Sequence, residues 1–324
     1  MQASIGLDIG GTNISAAVCD AQGNIIYSST RKSDYYGVQY LKNIDDIIEG
    51  LIKESKAEIC GIGIGVPGTV ERNTGKVTVC PAFNWRDVLL KDHIEKKFRI
   101  KTFVDNDVNV WTLAEKHLGA AKAFDDFAMI TIGTGIGCGL FLGGKLYRGH
   151  SFEAGEIGYL PLTIEAYKET INENKFGFFE SKASASAAIR IYHDITNRSV
   201  DCKEMFLLAK QGDRAAQKVV NDVYKYLGLG ISSVFCILNP QAVVIGGGMA
   251  EEGEDFLNEV TKNVEQLIPL KVNISLTETG AYGGAIGSAL SFFYEHDGKE
   301  SIRTNANQHW LLSTALKNKS VKKV

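Results

Sequence analysis

Between residues 5 and 32 apolar runs alternate with short polar turns: IGLDI, GGTN, ISAAVC, DAQGN, then IIYSS. Such short apolar runs, broken by glycine-bearing turns, predict three strands in a meander. The period then lengthens. In YLKNIDDIIEGLIKESK (40–56) apolar residues recur every three or four positions, the repeat of an amphipathic helix. Residues 59–67 alternate glycine with Ile and Val, as a strand does where other chain presses close. A second helix is expected over 88–98, a short strand over 102–105 and a third helix over 108–118. At Phe127 a comparable course begins again, followed by helices over 184–196, 205–210 and 213–238. A buried strand at 242–245, a helix over 254–268, a strand at 272–276 and a last helix opening in GAYGGAIGSAL (280–290) complete the pattern. Strands in a meander, then alternating with helices, twice over, predict two α/β domains facing a cleft, joined by helices.

The two halves share more than their order of elements. LDIGGTN leads into ISAAVCDAQGN, and IGTGIG into CGLFLGGK, each a strand, a glycine-rich turn with a Thr, and a second strand. Glycine admits close backbone approach to a phosphate, and successive turn N–H groups form an anion-binding concavity. One such turn also reads as an ordinary hairpin; the recurrence favours a nucleotide gripped from both sides.

Composition narrows the partners. The 324 residues suffice for about two domains, and a net charge of -3 leaves no footprint for nucleic acid or a membrane surface. The six cysteines have no CxxC spacing and read as small buried hydrophobes of a reducing, cytoplasmic protein. No apolar run is long enough to span a bilayer, and residues 1–4 leave no room for a signal peptide before the first strand.

Six motifs, DIGGTNI, GIGVPG, DNDVN, TIGTGIGCGL, GHSFEAGEIGY and VVIGGGM, stand in the order found in the ROK family of sugar kinases and sugar-responsive repressors. The chain resembles that family from residue 5 to about 296. The resemblance implies an α/β fold of two actin-like (ribonuclease H-like) ATPase domains around an interdomain cleft. The smaller domain is expected over 1–112, completed by a C-terminal helix at 283–297, the larger over 113–282, with a polar basic tail at 298–324. ATP and Mg²⁺ are expected in the cleft, a sugar deeper in it, and a homodimer as the assembly.

Phosphoryl transfer asks for positioned phosphates, compensated charge and a base for the attacking hydroxyl. By resemblance the Asn-Asp pair of DNDVN supplies Asn106 as a sugar ligand and Asp107 as the base; both residue types also suit a helix N-cap. Asp8, a carboxylate at the end of an apolar strand, is assigned to Mg²⁺ through water. Gly10, Gly11, Thr12 and Asn13 face Gly133, Thr134 and Gly135 across the phosphates. Gly246, Gly247 and Gly248 fit adenosine, or simply turn a strand into a helix. Glu156 and Glu180 are expected on the sugar hydroxyls, with Tyr159 beside them and Gly68 and Asn84 near the rim; the flanks of Glu180 read equally as a surface turn.

One departure is informative. Most family members follow GEIGH with a CxCGxxGCxE segment whose Cys and His bind zinc. Here Tyr159 replaces the His and residues 163–180 hold neither Cys nor His, so no four-ligand set remains and a zinc-free branch is expected. Some β-glucoside kinases of the family share this departure. The resulting expectation is an ATP-dependent hexose kinase acting on O6 of glucose. N-acetylhexosamine, fructose, mannose, allose or a β-glucoside are alternatives. A repressor would carry a DNA-binding segment before Asp8, and a sugar-independent actin-like ATPase would not need the DNDVN and GEIGY pair.

Overall fold

The computed structural model describes residues 2–33, 39–168 and 177–296; the expected tail at 298–324 lies outside them, as does part of the 163–180 segment. The chain opens with strands β1 (Gln2–Ile9), β2 (Asn13–Cys19) and β3 (Ile25–Lys32), then helix α1 (Gln39–Ser55) and strand β4 (Glu58–Val66). Three short strands follow, β5 (Thr69–Glu71), β6 (Lys76–Cys80) and β7 (Trp85–Val88), then α2 (Leu90–Phe98), β8 (Thr102–Asn106) and α3 (Asp107–His117). The second course runs β9 (Phe127–Ile132), β10 (Ile136–Leu142), β11 (Lys145–Tyr147), α4 (Phe178–Ala183), α5 (Ala185–Thr196), α6 (Cys202–Lys210) and α7 (Arg214–Leu238). It closes with β12 (Ala242–Gly246), α8 (Glu254–Glu265), β13 (Ile274–Leu276) and α9 (Gly283–His296).

Two five-stranded sheets share one topology. Their orders are β3-β2-β1-β4-β8 and β11-β10-β9-β12-β13, with the first three strands of each antiparallel and the last two joined in parallel. The repeat in the sequence is thus a repeat in space.

Strand alternation sorts side chains onto two faces. On β1, Ala3, Ile5, Leu7 and Ile9 enter a core with α1 and α2. Ser4, Gly6 and Asp8 face the other way, against α9: Ser4 Oγ donates to the Ala289 carbonyl at 2.8 Å, and a Cβ on Gly6 would collide with the α9 backbone. The glycines of GIGIGV have the same cause. Ile62, Ile64 and Val66 fill the core, while a Cβ on Gly63 would strike the Ser288 carbonyl and one on Gly65 would press on Val110 of α3. In the second sheet Cys138 and Leu140 face the α5–α8 layer, whereas Gly137 and Gly139 leave room for Val108 and Thr112 of α3. Helices α3 and α9 pack on each other between the sheets, each seated on glycine-lined strand faces.

Helix starts follow capping chemistry. Ser184 and Asp213, the first residues of their expected helices, are N-caps that accept from Ala187 N and Ala216 N. Four expectations need correction. The helix expected from 88 begins at Leu90, because Val88 is the end of β7, paired with Val77 of β6. The helix expected to 268 ends at Glu265; Pro269 disfavours helical conformation at the residue before it. The strand expected from 272 begins at Ile274. Of the six cysteines only Cys19, Cys80 and Cys138 are buried; Cys60 and Cys202 are half-buried and Cys236, near the end of α7, is exposed. Among the described residues no helix is long and apolar enough to cross a membrane.

Candidate active site

The carboxylates singled out in the sequence converge where the carboxyl ends of β1 and β8 meet α3, α4 and the β10–β11 side of the second sheet. Asp107 opens α3. Its Oδ1 accepts from Val108 N at 2.9 Å, yet burial outweighs that bond and lifts its pKa to about 6. Asp8, at the end of β1, rises to about 7, chiefly by burial and then by the charge of Asp107, against a hydrogen bond from Trp111. Glu156 is open to solvent on one side; desolvation first, then Asp107 and Glu180, lift its pKa to about 7. Glu180 is raised by burial, and the Tyr159 phenol by burial and by Glu156 and Glu180. These effects link the carboxylates in a chain, Asp8 to Asp107, Asp107 to Glu156 and Glu156 to Glu180.

Neighbouring Asp105 has a different task. Its Oδ2 accepts from Arg148 Nε at 2.8 Å and Nη2 at 2.6 Å, and its Oδ1 from Asn109 Nδ2 and Asn106 N, each at 2.8 Å. A carboxylate so fully bonded is a structural anchor. Among the described residues Asp107 has no such counter-charge.

Asn106 is the α3 N-cap, its Oδ1 accepting from Val108 N and Asn109 N, while Nδ2 donates to the Gly68 carbonyl at 3.1 Å. The capping alternative therefore holds for Asn106, and one amide hydrogen is left for a ligand. Gly68 adopts φ +102°, and a Cβ there would collide with the Val79 carbonyl. Asn84 is exposed in the left-handed turn before β7.

Glu180 is no surface turn. It lies in the first turn of α4, whose Phe178 and Phe179 are buried, and its Oε2 accepts from Ile136 N at 2.6 Å. That bond runs past Gly135, and the Glu180 side chain also packs beside Gly158 of GEIGY. One carboxylate thus joins the second glycine hairpin to the GEIGY turn.

The first hairpin turn closes through Gly10 N to the Asn13 carbonyl at 3.0 Å, and Ser33 buttresses it by donating to the Gly10 carbonyl at 2.8 Å. Gly11, Thr12 and Asn13 stand exposed. In the second, Gly133 N bonds the Gly135 carbonyl at 3.0 Å and Thr134 is exposed. A Cβ on Gly133 would come within 3.9 Å of Gly248 N, so this hairpin and the Gly246–Gly247–Gly248 turn adjoin. Gly247, at φ +86°, lies so close to the Ile132 backbone that only glycine fits. Each sheet thus carries one exposed glycine-rich turn at the carboxyl end of its central strand.

A family model for the ROK family matches residues 4–292. The chain belongs to the ROK family. It is 32% identical over 281 residues to a glucokinase of Halalkalibacterium halodurans, covering 81% of this chain and 84% of that protein. It is also 27% identical over 312 residues to a xylose repressor of Caldicellulosiruptor bescii, covering 89% and 78%. A ROK family glucokinase from Streptomyces griseus, solved with glucose and AMPPNP, superposes with a TM-score of 0.78 at 26% identity, covering 89% of this chain and 98% of that one. The fold is accordingly that of the two-domain actin-like ATPases.

Sequence reasoning missed Trp111 and Ser33, which hold Asp8 and Gly10, and Arg148, which anchors Asp105 beside the assigned pair. No motif flags them, because each acts through a partner distant in sequence. Among the described residues no cluster of three or more His, Cys, Asp or Glu could hold a metal.

Proposed function

We propose that this ROK protein is an ATP-dependent sugar kinase transferring the γ-phosphoryl group of ATP to a hexose hydroxyl, with O6 of glucose as the first substrate to test. The observation that carries the reading is the contrast between Asp105, paired with Arg148, and Asp107 two residues on, desolvated and without a cationic partner among the described residues. A base for a sugar hydroxyl needs that second condition, since both Asp105 oxygens are already occupied by donors and neither is free to take a proton from a substrate.

In this reading the acceptor hydroxyl lies against Asp107. Its proton passes to a carboxylate oxygen as the sugar oxygen bonds phosphorus and the bond to the ADP oxygen breaks. Glu156, Glu180 and the remaining Asn106 amide hydrogen hold the other hydroxyls, so a sugar lacking them leaves buried polar groups unpaired. The two glycine hairpins supply backbone N–H groups to the phosphates. Asp8 suits a hydrated divalent cation: it is a half-buried carboxylate with one neutral donor. Mg²⁺ there would offset charge on the phosphates.

Two measurements follow. A coupled ADP-release assay over aldoses, ketoses, amino sugars and β-glucosides is expected to give turnover with at least one hexose and little without sugar. Sugar binding without turnover would favour the repressor-type reading that the xylose repressor relative keeps open. For the preferred sugar, kcat/KM is expected to rise with pH and level off above an apparent value near 6, as Asp107 loses its proton. Asp8, Glu156 and the Cys80 thiol face it, so that value belongs to the set. A profile flat from pH 5 to 8 would remove Asp107 as the base.

A further inference from the structure

We propose that Trp111 is a positioning residue that fixes the orientation of Asp8 for a phosphate-bound divalent cation, an inference resting on the reading of Asp8 above. The indole Nε1–H donates to Asp8 Oδ2 at 3.1 Å, bridging α3 and the end of β1. Trp111 stands four residues after Asp107, so the two share one face of α3, and helical side chains lean toward the helix amino end. The ring is held from several sides. A Cβ added to Gly246 would come within 3.4 Å of Cζ3, and one added to Gly283 within 3.5 Å of Cε3. The indole therefore fills a wedge between β1, the end of β12 and the start of α9. Gly284 keeps the bond's path open, because a Cβ there would collide with both Asp8 Oδ2 and Trp111 Nε1.

The chemistry suits a second layer around a cation. An indole N–H only donates, so it cannot compete with the carboxylate for a metal. It occupies Oδ2 and restricts rotation of the carboxylate, while Oδ1 has no protein hydrogen-bond partner among the described residues. Partners of this kind typically change metal affinity by about 10–100-fold. Nothing in the apolar spacing of DVNVWTLAE separates such a tryptophan from a core aromatic.

The test is Mn²⁺ binding in the presence of ADP, followed by electron paramagnetic resonance, with sugar binding followed by calorimetry. Trp111→Phe keeps a ring and removes the donor; Gly284→Ala wedges the pair apart while leaving both residues unchanged. Both are expected to weaken Mn²⁺ by about 10-fold with sugar affinity within twofold. In ¹⁵N-tryptophan-labelled wild type, one indole N–H signal of the three (Trp85, Trp111, Trp310) is expected to shift with Mg²⁺ and ADP but not with ADP alone. That measurement stands even where a variant folds poorly. If Asp8→Asn loses Mn²⁺ while Trp111→Phe keeps it, the role of Trp111 is overturned and that of Asp8 survives. If both variants bind as wild type, the reading of Asp8 falls and takes this inference with it.

Discussion

Asp107→Asn is expected to lower turnover by about 10²–10⁴-fold, to leave sugar affinity within a few-fold, and to raise the unfolding temperature of the ligand-free protein. The first effect follows from removing the proton acceptor while keeping size and an oxygen that still accepts from Val108 N. The rise in stability has a separate cause. Burial holds the folded pKa near 6, above the ordinary 3.8, so the native state binds more protons than the unfolded chain between those values. The stabilisation from that proton is complete below about 3.8 and is lost as pH rises through 6. At pH 7.5 the wild type carries a desolvated charge, and the neutral amide is expected to relieve about 1–3 kcal/mol of it. The advantage should shrink at pH 5. ADP-release kinetics, sugar calorimetry and thermal unfolding at both pH values check the three parts. Turnover within a few-fold of wild type would sink the assignment.

That gain is the cost of function seen from the other side: Asp8, Asp107, Glu156 and Glu180 crowd together in a way no folding argument requires. The crowding was legible in part. Asp8 betrays itself as a charge ending an apolar strand, and the alternating glycines of GIGIGV betray close packing, since period two leaves one face without side chains. What presses on that face was not legible, because α9 comes from the far end of the chain. The small sheet β5-β6-β7 was missed for a related reason. Its strands are three to five residues long, and long-range pairing decides them. Helix α4 looked like a turn from its flanks, and only its contacts give Phe178 and Phe179 a core to enter. Glu115 shows the limit most clearly. It reads as a polar residue of an amphipathic helix, yet it is fully buried, accepting from Thr279 Oγ1 at 2.7 Å, from Thr277 Oγ1 and from Ala120 N at 2.8 Å. It thereby ties α3 to the turn that precedes α9.

Arg148→Ala is expected to destabilise the protein by about 3–5 kcal/mol, lowering the unfolding temperature by about 10 °C, while activity measured well below that temperature stays within about tenfold of wild type. Arg148 follows β11 of the second sheet and Asp105 lies near the end of β8 of the first, so their two-pronged bond ties the two sheets together. Only 9% of the arginine side chain and 11% of the aspartate are exposed. At that depth the attraction roughly offsets the cost of removing both charges from water, so the intact pair adds little net stability. Deleting one partner is a different matter, because the carboxylate left behind is desolvated, with Asn109 Nδ2 and Asn106 N as its hydrogen-bond donors and the Arg72 charge nearby but not replacing the two-pronged bond. Asp105→Asn in the Arg148→Ala background should therefore recover part of the loss, since it removes the stranded charge and keeps an acceptor for Asn109. A double-mutant cycle measures that recovery directly. Equal stability of Arg148→Ala and wild type would mean that Asp105 is reached by water, and the distinction drawn between it and Asp107 would lose its basis.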